Sequence, residues 1–152
     1  MEIVKLKELN TKQLSQINKL WDTEYPLSLK GRFKILLDGA SAYNHYIIED
    51  GNKKVIAWAA DFIKEEEIRF SIIVDPMYQG KGIGSLLMKK LITDLDEFYG
   101  WVIDHDNDLK ENGEKYKSPL SFYLNLGFDL LPKERINNEL LKAVKIRMKS
   151  KA

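Results

Sequence analysis

Ile72-Ile73-Val74-Asp75-Pro76-Met77-Tyr78-Gln79-Gly80-Lys81-Gly82-Ile83-Gly84-Ser85-Leu86-Leu87 runs from a β-rich apolar stretch, through a glycine-rich turn, into an amphipathic helix. Gly80, Gly82 and Gly84 let the backbone approach an anion without Cβ clashes, so several N–H groups can converge on one cluster of oxygens. The helix opening near Gly84 adds its positive dipole end and its unpaired donors. Lys81 adds charge at the rim, and Lys89 or Lys90 could do the same. The bland alternative is a turn that merely tightens a strand-to-helix connection. Three glycines, a flanking Gln79 and the cap-like Ser85 favour the anion seat. No window satisfies the G-x-x-x-x-G-K-[ST] of a P-loop. Gly80 starts a dinucleotide fingerprint, with Asp104 about 20 residues on, but Ser85 stands where its third glycine or alanine belongs.

Outward from this turn, Ser85 to Phe98 reads as helix, with Ile83, Leu86, Leu87, Leu91, Leu95 and Phe98 along one face. Trp101-Val102-Ile103 is a short buried strand, and Asp104 to Lys117 is polar. Pro119 suits a first helical turn, and Leu120, Tyr123 and Leu124 lead to a stop at Leu126-Gly127. Phe128 to Leu131 and Leu140 to Met148 read as closing strands, joined by a charged, loose linker from Pro132 to Glu139.

Upstream, Ile68 to Val74 is a strand preceded by a hairpin: Tyr43 to Glu49, the turn Asp50-Gly51-Asn52, then Lys54 to Ile63. Ile3 to Leu6 predicts an edge strand. Asn10 and Thr11 offer N-cap oxygens to a helix over residues 11–22 carrying Leu14, Ile17, Asn18 and Trp21. Tyr25-Pro26 ends it, and Ser28 can cap a second helix whose buried stripe is Phe33, Leu36 and Leu37. This order predicts an α+β (mixed α/β) fold: one central mixed, mostly antiparallel sheet flanked by helices, in a single domain over residues 1–152.

The bulk numbers agree with that size. The chain has 152 residues, 44% hydrophobic, enough for one core and cramped for two. A net charge of +1 with 31% charged residues gives no basic field for nucleic acid. There is no cysteine, which excludes disulfides, thiolate metal sites and a cysteine nucleophile. No apolar stretch approaches the ~18 residues of a membrane span. The expectation is a cytoplasmic protein without a metal, acting on neither membranes nor nucleic acid, with a homodimer left open.

The quoted segment resembles the signature of the GNAT acetyltransferase superfamily, whose core pattern [QR]-x-x-G-x-[GA] is met by Gln79, Gly82 and Gly84. Ser121-Phe122-Tyr123-Leu124-Asn125-Leu126-Gly127-Phe128 resembles the family's second marker, a helical tyrosine followed by Leu-Gly-Phe. The two lie in the family's order, separated by one helix and one strand.

The resemblance implies acetyl-CoA as cosubstrate and a primary amine, on a small molecule or a peptide, as acceptor. Backbone groups of Ile72 and Val74 would bind the pantetheine arm, and Gln79, Gly80, Lys81, Gly82, Ile83, Gly84 and Ser85 would cradle the pyrophosphate. The thioester would sit between Val74 and the strand from Trp101 to Asp104, where relatives splay the sheet. Tyr123 would protonate the departing thiolate. Its alternative role is a core tyrosine on an amphipathic helix. Many relatives carry a glutamate base six residues before the equivalent of Val74. That position is Ile68 here, with Glu67 displaced onto the other strand face. Asp104 and His105 are the substitutes, Asp61 and His45 more distant options, and ordered water would need none of them. Relatives also place an asparagine seven residues before the tyrosine, where it holds the cosubstrate. Tyr116 stands there, so that role is either unfilled here or taken by Ser118 or Asn107.

The stretch Asp104 to Lys117 is longer than the usual connection, and reads either as a lid over the acceptor site or as a solvated insertion. The acceptor side would come from Trp21 to Arg32, Tyr43, Trp58 and this stretch, with Trp21, Tyr25 and Trp58 either facing an apolar or cationic acceptor or serving as core. Two readings compete with the enzyme: a CoA-binding sensor of the same shape, and a nicotinamide oxidoreductase.

Overall fold

The computed structural model describes residues 1–150, apart from the side chain of Ile35; Lys151 and Ala152 of the expected domain lie outside the described residues. Its elements are β1 (Val4–Leu6), α1 (Thr11–Glu24), α2 (Phe33–Leu37), β2 (Ser41–Glu49), β3 (Val55–Lys64), β4 (Glu67–Val74), α3 (Ile83–Asp94), β5 (Glu97–Ile103), α4 (Leu120–Asn125), β6 (Asp129–Asn137) and β7 (Lys142–Lys149). The strands form one seven-stranded sheet in the order β1-β2-β3-β4-β5-β7-β6. Every neighbouring pair is antiparallel except β4 and β5. This is the mixed, mostly antiparallel sheet that the element order predicts.

Local chemistry explains most boundaries. Asn10 closes a capping box with Gln13: its side chain accepts from Gln13 N at 2.8 Å while Gln13 Oε1 accepts from Asn10 N at 2.9 Å. Asp50 Oδ1 accepts from the backbone N–H groups of Asn52 and Lys54 and so shapes the first hairpin turn. The second hairpin turns at Glu65 and Glu66, both left-handed at φ +52° and +66°. That pair of conformations matches the twist of the flanking strands.

Strand alternation sends apolar side chains to both faces, giving two cores. Tyr46, Ile48, Phe70, Leu87, Leu91, Phe98, Tyr123 and Phe128 belong to the core on the side of α3 and α4. Ile17, Trp21, Phe33, Ile47, Trp58, Phe62 and Ile73 belong to the core beneath α1 and α2.

Four sequence expectations are corrected. Ser28 caps no helix; it lies in a single 3-10 turn, Leu27–Leu29, and its hydroxyl donates to Leu140 O at 3.0 Å. The helix predicted to Phe98 stops at Asp94, where Leu95 turns extended, and Phe98 enters the same core from β5. Leu86, expected on the buried face, is 39% exposed. The linker from Pro132 to Glu139 is mostly strand: β6 runs to Asn137, and the register breaks between Leu131 and Arg135. An edge strand with an irregularity tolerates Pro132, which has no N–H to offer.

Candidate acyl-transfer site

The β4–β5 joint creates the site. The two strands share a single register pair, Arg69 with Tyr99, and beyond it their C-terminal halves are not paired. Backbone groups of β4 are thereby left without strand partners. Two of its carbonyls are occupied by side chains instead: Tyr25 Oη donates to Ile72 O at 3.1 Å, and Gln79 Nε2 donates to Val74 O at 3.1 Å.

A cavity of about 1090 Å³ opens through this gap. It is lined by Ile72 and Val74 of β4, by Gln79, Gly80, Gly82, Ile83, Gly84 and Ser85 of the turn, by Trp101 and Ile103 of β5, and by Phe122 and Tyr123 of α4. Its other wall is formed by the end of α1, Arg32, Leu36 and the segment around Tyr116. Lys81 is absent from this lining; its ammonium sits 5.4 Å over the Tyr78 ring.

The turn has the geometry of an anion seat. Gly80 and Gly82 are left-handed, φ +77° and +80°, conformations that glycine adopts without penalty. Gly82 is the N-cap of α3 and supplies no capping side chain. The first intrahelical bond is Leu86 N to Gly82 O, so the N–H groups of Ile83, Gly84 and Ser85 have no helical acceptor. Gly84 is placed differently. A Cβ there would stand 3.4 Å from the Phe122 ring, at contact distance, which marks where α3 approaches α4.

Tyr123 is 7% exposed, ringed by Phe70, Phe122 and Phe128 at centroid distances of 5.6, 5.2 and 5.4 Å. Its hydroxyl forms no hydrogen bond among the described residues and belongs to the cavity lining. Burial pushes its ionisation well above the ordinary phenol value, so it keeps its proton. Tyr116, also raised chiefly by burial, stacks on Tyr25 at 6.0 Å. It lines the cavity itself, whereas neither Ser118 nor Asn107 does.

The segment Asp104–Lys117 is a folded cover. Leu109 bridges Lys115, Lys110 N bonds Glu114 O, and Tyr116 N bonds Asp108 O. It is fastened to the α1–α2 connection by Leu27 N to Leu109 O at 2.7 Å and by the Lys110–Glu24 pair at 3.1 Å. Five of its residues, from Lys110 to Lys117, line the cavity.

The structure does not bring Asp104 and His105 to this cavity. Asp104 lies just past the end of β5, outside the cavity lining. There Arg135 grips its carboxylate with two bonds, 2.8 and 3.1 Å, which hold Asp104 below the usual carboxylate range. His105 lines a separate depression of about 220 Å³ with Asp108 and the β6–β7 turn. Of the more distant options, Asp61 is buried, accepting from Tyr46 Oη and Asn44 Nδ2. His45 Nδ1 accepts from Trp58 Nε1 at 3.0 Å, and burial lowers its pKa. Glu67 pairs with Arg69 and Lys145, both at 2.8 Å. Trp58 is fully buried core, Tyr43 bonds Leu37 O and Ala40 O, and only Trp21 and Tyr25 of the expected aromatics line the cavity. Among the described residues no cluster of His, Cys, Asp or Glu could hold a metal ion, and no helix is long and apolar enough to cross a membrane.

Known proteins agree with this architecture. No curated protein sequence matches the chain. The fold is similar to that of smu.2055 from Streptococcus mutans UA159, at TM-score 0.64 and 17% identity over 98% of this chain and 99% of that one. It is similar to a phosphinothricin acetyltransferase from Sinorhizobium meliloti solved with AcCoA, at TM-score 0.59 and 16% identity over 97% and 88%. It is also similar to the ribosomal-protein-S18-alanine N-acetyltransferase from Escherichia coli, at TM-score 0.60 and 16% identity over 97% and 93%. The family described as the acetyltransferase (GNAT) domain matches residues 41–130, which span β2 through the start of β6 and hold both the glycine turn and Tyr123. The chain belongs to the GNAT acetyltransferase family.

Proposed function

We propose that this chain, acting as one domain, moves an acetyl group from acetyl-CoA to a primary amine by direct attack. The observation that carries the reading is the Tyr123 hydroxyl: buried, protonated, without a protein partner, and lining the same cavity as the uncapped start of α3. The N–H groups of Ile83 to Ser85, with Gln79 and the two left-handed glycines, would hold the pyrophosphate. Lys81 would contribute only long-range charge at the rim. The unpaired edge of β4 at Ile72 and Val74 would receive the pantetheine amides, displacing Tyr25 and Gln79 from its carbonyls.

In the reaction the amine nitrogen forms a bond to the thioester carbonyl carbon, and the carbon–sulfur bond breaks. The leaving thiolate takes the Tyr123 proton, and the phenol regains one from the acceptor nitrogen by way of water. An ammonium of reference pKa ~10.4 must first lose a proton. Asp104 and His105 lie off the cavity, so that proton leaves through water. Glu24 is the half-buried carboxylate of the acceptor wall and would be its terminal acceptor. The neighbours' names give phosphinothricin in one case and a ribosomal-protein alanine in another, so acceptors within this fold differ widely. A CoA-dependent donor fits a cytoplasmic enzyme.

The test is calorimetry with CoA followed by thiol release from acetyl-CoA across a panel of amines. Heat on binding together with amine-dependent thiol release supports the transferase. Heat without thiol release from any amine means a CoA-binding sensor, and no heat at millimolar CoA removes both readings.

A further inference from the structure

We propose that the acceptor is a small amine that also carries an oxyanion, a carboxylate or its chemical equivalent, and that Arg32 receives that group. The inference rests on the transferase reading above and names the substrate class of the same cavity.

Arg32 stands immediately before α2 and lines the acceptor end of the cavity beside Trp21, Tyr25, Leu36 and Phe62. It is half-buried, and its guanidinium forms no ion pair or hydrogen bond among the described residues. The other charges of the lining are accounted for. Glu24 is paired with Lys110 at 3.1 Å, and Arg69 with Glu67 and Glu65 at 2.8 and 3.5 Å. Lys64 donates to Leu36 O at 3.5 Å. Glu114, Lys115 and Lys117 are exposed on the cover. Asp22 is engaged with Gly31 N at 2.7 Å and is not in the lining.

A half-buried cation without a counter-charge is costly, and a flat fork of five donors matches a carboxylate in two bonds at once. The phosphates of the donor do not meet this need. Their seat is the start of α3, on the opposite face of the sheet from Phe33, whose ring packs on Trp21 and Trp58. A polyamine entering there would meet the like charge of Arg32, whereas an oxyanion would meet its donors.

The experiment compares L-methionine, L-phenylalanine and L-glutamate with their carboxamides, and with putrescine, in the thiol-release assay. Carboxamides lose the amine proton more readily, so without recognition they would react faster. The inference expects the free acids to lead in kcat/KM, with the acid-to-carboxamide ratio falling about tenfold to hundredfold in Arg32→Gln. Arg32→Lys should recover part of that ratio. CoA calorimetry on each variant shows that it is folded; where a variant fails, the wild-type ratios decide. Carboxamides or putrescine leading, or a ratio unmoved in Arg32→Gln, would overturn the inference while leaving the transferase intact. Should no amine release thiol, the transferase reading fails instead. The oxyanion is then read from the melting temperature of the CoA complex, which L-methionine but not its carboxamide should raise.

Discussion

The phenol of Tyr25, at the end of α1, donates a 3.1 Å hydrogen bond to the carbonyl of Ile72 on the unpaired edge of β4. It thereby occupies an acceptor that a strand neighbour would otherwise fill, at the position where the proposed pantetheine amide would bind. Tyr25→Phe should tighten CoA binding twofold to tenfold by calorimetry, because the ligand no longer displaces a phenol. The same change should lower unfolding free energy by about 1 kcal/mol, the typical net value of one hydrogen bond. Weaker CoA binding would show that the phenol helps to hold the ligand.

Tyr123→Phe removes the proton donor and little volume. Thiol release at saturating amine should fall about 10²–10⁴-fold, the usual contribution of a positioned acid, while the CoA dissociation constant moves less than threefold. A rate within threefold of the parent would reduce Tyr123 to a packing residue.

Gly100 lies under Phe70: an added Cβ would stand 2.3 Å from Phe70 Cε1. The ring is packed by Phe98, Tyr123 and Phe128 and has little room to retreat. Gly100→Ala should therefore cost about 1–3 kcal/mol, lowering the melting temperature by roughly 2–12 °C. Because Tyr123 shares the cluster, kcat should fall as well. An unchanged melting temperature would mean that the aromatic cluster is looser than its distances indicate.

His45 gives the fold an acid sensitivity. Its Nδ1 accepts from Trp58 Nε1, so the buried ring is neutral, and burial lowers its pKa against a smaller opposing pull from Asp61. The unfolded chain then binds a proton that the folded chain resists. Stability is whole above the unfolded value of ~6.5 and declines below it, by at most about 1.4 kcal/mol per pH unit until the folded value is passed. Chemical denaturation between pH 7.5 and 5 should show this slope, and His45→Phe should flatten it whatever its effect at pH 7.5.

The parts readable from the sequence were those carried by neighbours along the chain. Gly80, Gly82 and Gly84 between a strand and an apolar-striped helix announce their turn, and alternation in β2 to β4 announces the hairpins. Phe98 shows where periodicity fails: it keeps the spacing of Leu91 and Leu95 because strand and helix feed one core, so the apolar pattern continues across a real boundary. Asp104 fails for another reason. Its position along the chain is right, but a partner 31 residues away, Arg135, claims the carboxylate. Arg32 carries no motif at all. Its isolation becomes visible only when the charges around it are seen to be paired, and those pairs join residues far apart in sequence. Tyr116 had a signal, since it stands where relatives place an asparagine, but the cavity it faces depends on the fold of the cover.

The gap between β4 and β5 also has a mechanical meaning. A sheet joined at mid-width by one register pair behaves as two stiff leaves meeting at a compliant seam, with side chains of Tyr25 and Gln79 standing in for absent rungs. A guest with its own amides, laid into that seam, would act as a temporary strand. Occupancy should then be read far from the guest, as slower amide exchange in both leaves.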